Sequence, residues 1–265
     1  MSPLDHKLLR DLWRMKGQAF AIGLVIAAGV GMLVMMTGLV TSLNETRATY
    51  YERYRLADVF APVTRAPDHV AARLAAIEGV SAVEPRVVGG ALIDLPKNDL
   101  PVQAQAVSLP DLYVPRLNDV YLTDGRMINS GHADEILLLQ SFARAHNLQP
   151  GNRIHATMNG ARRSFRIVGL AQSPEFLYTT APGEMIPDDK RFGVIWMSRS
   201  ALAAAYDMQG AFNEALLLLS RGANEAAVLD AVDRILDPYG GIGAYPLADQ
   251  MSNRFVSEEI NGLED

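Results

Sequence analysis

The chain has 265 residues and a net charge of -6, too acidic for the basic face that nucleic-acid recognition needs. With no cysteine it has neither disulfides nor thiolate chemistry. The length allows one large domain or two small ones, and the hydrophobic content is that of a globular protein with one apolar block added.

Residues 1–16 read as a cytoplasmic amphipathic helix. Leu8, Leu12 and Trp13 lie on one apolar stripe, with Lys7, Arg10, Arg14 and Lys16 over much of the remainder. A basic helix carrying a Trp suits a bilayer surface, so these three apolar residues are the expected interfacial contacts. Residues 17–43 follow without a charge; none falls between Lys16 and Glu45. A bilayer core about 30 Å thick needs about 20 apolar helical residues, so this stretch is predicted to span it. It exceeds the roughly 7–15 apolar residues of a secretory signal and has no clear small-residue cleavage site, which points to an uncleaved anchor. Gly23, Ala27 and Gly31 recur every four residues, spacing that lets helix backbones approach closely in lipid. These three are the expected packing face.

Basic residues flank both ends of the span, and the bias places the N-terminus in the cytoplasm and the bulk of the chain outside. Residues 44–56 have no helix breaker and continue the span as a stalk, with Tyr50 and Tyr54 as i,i+4 neighbours.

Residues 57–247 alternate between strand and helix patterns and are expected to fold as an α+β domain of two lobes. The first, of β-α-β type, takes residues 57–115 and 192–247. Its clearest helix covers Asn224 to Leu236, with Val228, Leu229, Val232, Ile235 and Leu236 on one face. The second, residues 116–191, is β-rich. There Ile154–Met158 and Ala161–Val168 flank Asn159-Gly160, the strongest short hairpin signal. The proline-containing, aperiodic stretch Ser173–Arg191 is expected to be a long exposed loop, and Glu175, Phe176 and Tyr178 within it the residues that meet a partner. Residues 248–265 are polar and helix-competent, without a core of their own.

No catalytic signature appears. There is no G-x-x-x-x-G-K-[ST], no G-x-S-x-G and no H-E-x-x-H. The five histidines are scattered. His132, Asp134 and Glu135 suggest a metal set, and a turn before a strand explains them equally well; Asp188 and Asp189, with Glu175 and Glu184, are able to form an acid pair or bind a cation, but read better as solvated loop acids. No catalytic, cofactor or metal residue is assigned.

The basic start, single span, stalk and β-rich insertion come in a distinctive order. Together with Leu8–Ala28, Glu135–Ile154 and Arg166–Gly169 (RIVG), that order resembles the N-terminal part of FtsX-like ABC-transporter permeases with a MacB-like periplasmic core domain. The resemblance implies an inner-membrane protein with its large domain in the periplasm, and residues 248–265 as a helix leading toward a second span. ATP would be bound by a separate cytoplasmic ATPase subunit, and a second permease copy or a homologous permease would complete the complex. Its outer domain would handle a lipoprotein, lipid or peptide. The competing reading is a single-span anchored binding or assembly protein with no ATPase partner.

Overall fold

A computed structural model describes residues 7, 10, 13, 15–95, 101–180 and 187–262. They divide into two compact units. One comprises Met1–Thr49 with Ser257–Asp265, and the other Tyr50–Val256.

In the first unit the dominant element is helix α1, Lys16–Arg53, whose last turn belongs to the second unit. At about 1.5 Å per residue it is about 57 Å long, enough for a span and a stalk. By length and composition it is able to cross a membrane. Two threonine hydroxyls in its apolar part are satisfied within the helix: Thr37 Oγ1 donates to the Leu33 carbonyl and Thr41 Oγ1 to that of Thr37. That is the arrangement a polar side chain needs in hydrocarbon. Near its end, Arg47 donates to Ser257 Oγ at 3.0 Å.

The second unit is α+β and has two lobes. The smaller is a four-stranded antiparallel sheet in the order β11-β1-β10-β2. It uses β1 (Val59–Pro67), β2 (Val80–Arg86), β10 (Ala211–Leu219) and β11 (Tyr245–Pro246). One face is covered by α2 (Val70–Ala75) and α5 (Glu225–Leu236). Helix α5 starts where Asn224 caps Ala227 N–H and buries Val228, Val232 and Leu236, one stripe at i, i+4 and i+8. The opposite face carries Phe60, Leu216 and Leu218, and also the charged residues of the site described below.

The larger lobe is a closed barrel. It contains β3 (Val88–Asp94), β4 (Val102–Leu109), β5 (Tyr121–Gly125), β6 (Glu135–Leu139), β7 (Arg153–Met158), β8 (Ala161–Gln172) and β9 (Phe192–Ser198). The order β5-β8-β6-β9-β4-β3-β7 is closed by pairing of β7 with β8. Six strands therefore form the ring and β5 lies outside it on β8. Closure leaves the six ring strands without the open edges that invite aggregation. The ring depends on the length of β8: its first half pairs with β7 and its second with β6, and Arg166 has a partner on both sides, Arg153 and Glu135. Two short helices, α3 (Gln140–Ala145) and α4 (Arg199–Ala205), follow β6 and β9. After β11 comes α6, Met251–Asn261.

The two-lobed α+β domain matches expectation, and so does the hairpin. Asn159 and Gly160 both have positive φ, 47° and 76°, as a two-residue β-turn of this kind requires. The lobe boundary differs. Strands β3, β4 and β9, expected in the first lobe, belong to the barrel. The chain changes sheets at Val87. Ser108 brackets that residue, with Oγ accepting from Val87 N–H and N–H donating to the Val87 carbonyl. Asn213 of β10 does the same one residue later, its amide accepting from Val88 N–H and donating to the Val88 carbonyl. A side chain here stands in for a neighbouring strand, so the ladder passes from one sheet to the other. The break is thus at Val87, and Gly89-Gly90 lie within β3. Gly89 instead makes room for a ring, because a Cβ there would lie 2.3 Å from Tyr206 Cζ.

Candidate functional site

The face of the small sheet turned away from its helices bears three charged residues. In β2, Ala82, Glu84 and Arg86 alternate with Val83 and Pro85, and in β10 Glu214 precedes Leu216 and Leu218 on the same phase. Register places Glu214 directly opposite Arg86, and Arg86 Nε donates to Glu214 Oε2 at 2.6 Å. The other end of the guanidinium meets the carboxylate of Glu175 with two parallel bonds, NH1 to Oε2 at 2.7 Å and NH2 to Oε1. Glu175 comes from the barrel side, in the 3-10 turn Pro174–Phe176 that follows β8. All three side chains are nearly closed to solvent, at 6%, 7% and 13% exposed for Arg86, Glu175 and Glu214.

Around this triad four distant stretches of chain share hydrogen bonds. Asn118 Nδ2 donates to Glu175 Oε2, and Asn118 Oδ1 accepts from Ala57 N–H, where the chain leaves the stalk. Arg55 reaches the Pro115 carbonyl. Gln250 donates to the Glu175 carbonyl and accepts from Asn253 N–H, and Ser252 Oγ accepts from Tyr178 N–H. Tyr245 stacks on Phe60 with ring centroids 5.4 Å apart. The stalk exit, the 115–119 loop, the segment after β8 and the approach to α6 thus meet at one buried polar knot.

Electrostatics here are set by burial and by sharing. Burial opposes the Arg86 charge, and the two flanking carboxyl groups overcome that, so the guanidinium holds its proton more firmly than usual. Burial pushes the Glu214 carboxyl up, Arg86 pulls it back, and Glu175 pushes it up again. Burial also raises the Tyr245 phenol, helped by Glu214 and Glu175. Next to the knot Glu84 accepts from Tyr113 Oη and from Arg116 N–H, and burial followed by that bond pushes the Tyr113 phenol up to about 12.

The first part of the expected partner loop, Ser173–Thr180, is therefore largely internal. Glu175 is the buried centre of the knot, Phe176 packs edge-on against the core residue Trp196, and Tyr178 lies against Phe255. The physical reason is an opposite charge arriving from 89 positions away in sequence, which turns a loop acid into an internal anchor. Glu184 and the rest of 181–186 lie outside the described residues. Gly23, Ala27 and Gly31 are exposed in their unit, and nothing lies within 4 Å of a Cβ built on either glycine. Trp13 is exposed, with Lys16 Nζ 5.5 Å above its ring, while Leu8 and Leu12 lie outside the described residues.

The suggested metal set resolves into an ion-pair cluster. Glu135 at the barrel seam accepts two bonds from Arg126, one from Arg166 and one from Asn129 N–H. Cations of the protein itself occupy the carboxylate, and among the described residues no group of three metal-ligating side chains converges. Sequence reasoning passed over Arg86, Asn118, Glu214 and Gln250. The available signal was charge on the inward phase of apolar strands, VSAVEPR and AFNEALLLL, which a solvated reading also explains.

A family model for the MacB-like periplasmic core domain matches residues 20–235. The chain belongs to this family. Among solved structures it is similar to the periplasmic region of MacB from Actinobacillus actinomycetemcomitans, at 10% identity and a TM-score of 0.45, covering 80% of this chain and 95% of that one. It is also similar to the extracellular domain of the noncanonic ABC-type transporter YknZ from Gram-positive bacteria, at 10% identity and a TM-score of 0.45, covering 72% and 98%. No curated protein matches it. The matched region runs from within α1 into α5, so it takes in the barrel, most of the small lobe and the Arg86, Glu175 and Glu214 triad, while Tyr245, Gln250 and Ser252 lie beyond it.

Proposed function

We propose that this chain is the first membrane helix and periplasmic domain of an ABC-transporter permease subunit, not itself an enzyme. A separate cytoplasmic ATPase binds and hydrolyses ATP. The permease works with a second copy or a homologous permease in the inner membrane, and its outer domain acts on a lipoprotein, lipid or peptide. Family membership supports the permease reading. The observation that carries the coupling role is the knot, where the stalk exit at Ala57, the Glu175 segment and the return toward α6 share one hydrogen-bond network. Movement of the stalk acts directly on bonds that join the two lobes.

Affinity purification of the full-length gene product from membranes tests this reading. The expected result is a complex containing an ABC ATPase, with ATP hydrolysis in liposomes that depends on the permease. A chain that purifies alone and supports no hydrolysis overturns it in favour of the anchored binding protein. Protease treatment of spheroplasts is expected to digest residues 57–247, and full protection reverses the orientation.

A further inference from the structure

In the knot a single guanidinium faces two carboxyl groups in a nearly dry site. Glu175 is saturated: Oε1 accepts from Arg86 NH2, and Oε2 from Arg86 NH1 and Asn118 Nδ2. Glu214 receives one bond, from Arg86 Nε. One cation cannot neutralise two buried anions, and desolvation makes the uncompensated charge costly. The least disruptive place for a proton is the carboxyl with the fewest donors, and that is Glu214. At 13% exposed, it is also the member of the triad most open to water. The other ionisable groups facing it are few. From β2 come Arg86 and, two residues earlier, Glu84, held by Tyr113 and Arg116; from the turn after β8 comes Glu175; from β11 comes the Tyr245 phenol. Among the described residues none supplies a second cation to Glu214.

We propose that Arg86, Glu175 and Glu214 form a proton-linked latch between the lobes. With Glu175 seated, Glu214 is a neutral acid. When the Ser173–Thr180 segment withdraws, Arg86 is left with Glu214 alone, and Glu214 releases its proton to water and becomes the ion-pair partner. Arg86 and Glu214 stay on the small sheet throughout, while Glu175 travels with the barrel segment. Opening is therefore coupled to release of one proton, and raising the pH favours it. This goes beyond the proposed transporter role and holds whether or not an ATPase is attached.

These 265 residues contain no cysteine, so labels can be placed in them at chosen positions. Spin labels on Arg65→Cys in β1 and Leu177→Cys in the segment, both exposed positions, report the separation by pulsed electron paramagnetic resonance in the full-length chain. The expected result is a longer inter-label population that grows between pH 5 and pH 9. In Glu214→Gln the short distance persists across that range, and in Glu175→Gln the long one does. A wild-type distance that ignores pH, or a Glu214→Gln response equal to that of wild type, overturns the latch. Infrared spectroscopy of the wild type supplies a readout that needs no variant at Glu214. A protonated carboxylic acid band is expected at pH 6 and lost over the range in which the distance changes; its absence at pH 6 overturns the proposal.

Discussion

Asn118 and Glu175 are bonded through a buried amide, Nδ2 to Oε2 at 2.7 Å, and the other end of the same amide accepts from Ala57 N–H at 2.8 Å. One side chain thus joins the stalk exit to the carboxylate that holds the lobes together. Asn118 does so from the left-handed region, at φ 49°, a conformation asparagine tolerates better than most residues.

Asn118→Ala strands a buried backbone donor and removes one of Glu175's donors. Each unsatisfied buried group costs about 1–3 kcal/mol, so a clear drop in the urea midpoint is expected. Asn118→Gly relieves the backbone and loses the same bonds. Equal destabilisation of the two variants locates the cost in the hydrogen bonds; near-native stability of the glycine variant would locate it in the backbone.

Arg86→Met leaves two carboxyl groups facing each other without their cation. Removing one member of a buried ion pair costs about 3–5 kcal/mol. The expected loss at pH 8 exceeds that at pH 5, because lower pH supplies the protons that replace the guanidinium charge. Denaturant midpoints at the two values measure the difference.

Glu135 supplies the acid-side prediction. Its bonds from Arg126 come first among the causes that pull its carboxyl down to about 2 from an ordinary 4.5, against the effect of burial. The lowered value means stabilisation is complete above about 4.5 and is lost as the pH falls through about 2. Glu135→Gln is expected to be less stable than wild type at pH 6, with the gap closing toward pH 2. A gap that stays constant removes Glu135 from the acid response.

Gly125 and Gly169 face each other across β5 and β8. A Cβ on Gly125 would stand 2.3 Å from the Val168 carbonyl oxygen and 2.8 Å from Gly169 Cα, with φ at 78°. Both are backbone atoms that cannot swing aside. Gly160 has a similar φ with open space around it. Gly125→Ala is therefore expected to lower the thermal midpoint more than Gly160→Ala, whose cost is the positive φ alone, about 1–2 kcal/mol. Equal shifts would remove the close approach as a constraint.

Gly31→Leu changes a position with nothing near its Cβ. The far-ultraviolet circular dichroism of this chain should be unchanged. In the proposed permease–ATPase complex, the substitution is expected to uncouple ATP hydrolysis from transport. Wild-type coupling at normal expression would count against a helix-packing face.

Features written in consecutive residues are legible in the sequence. The uncharged span, the capped stripe of α5 and the Asn159-Gly160 hairpin depend on local periodicity and turn chemistry, and each stands where the sequence places it. The candidate site is not legible there, because its residues come together from β2, a turn after β8, β10 and the approach to α6. Charge in a strand and charge in a loop both read as solvated until an opposite charge is brought against them.

The sequence by itself determined that an apolar helix precedes an α+β domain of this family, since hydropathy and strand–helix alternation are properties of neighbouring residues. Only the tertiary structure decided which sheet β3, β4 and β9 join, that the barrel closes at Arg166, and that Glu175 is an internal anchor. Strand pairing and charge pairing are long-range, and their energy depends on the burial that folding creates.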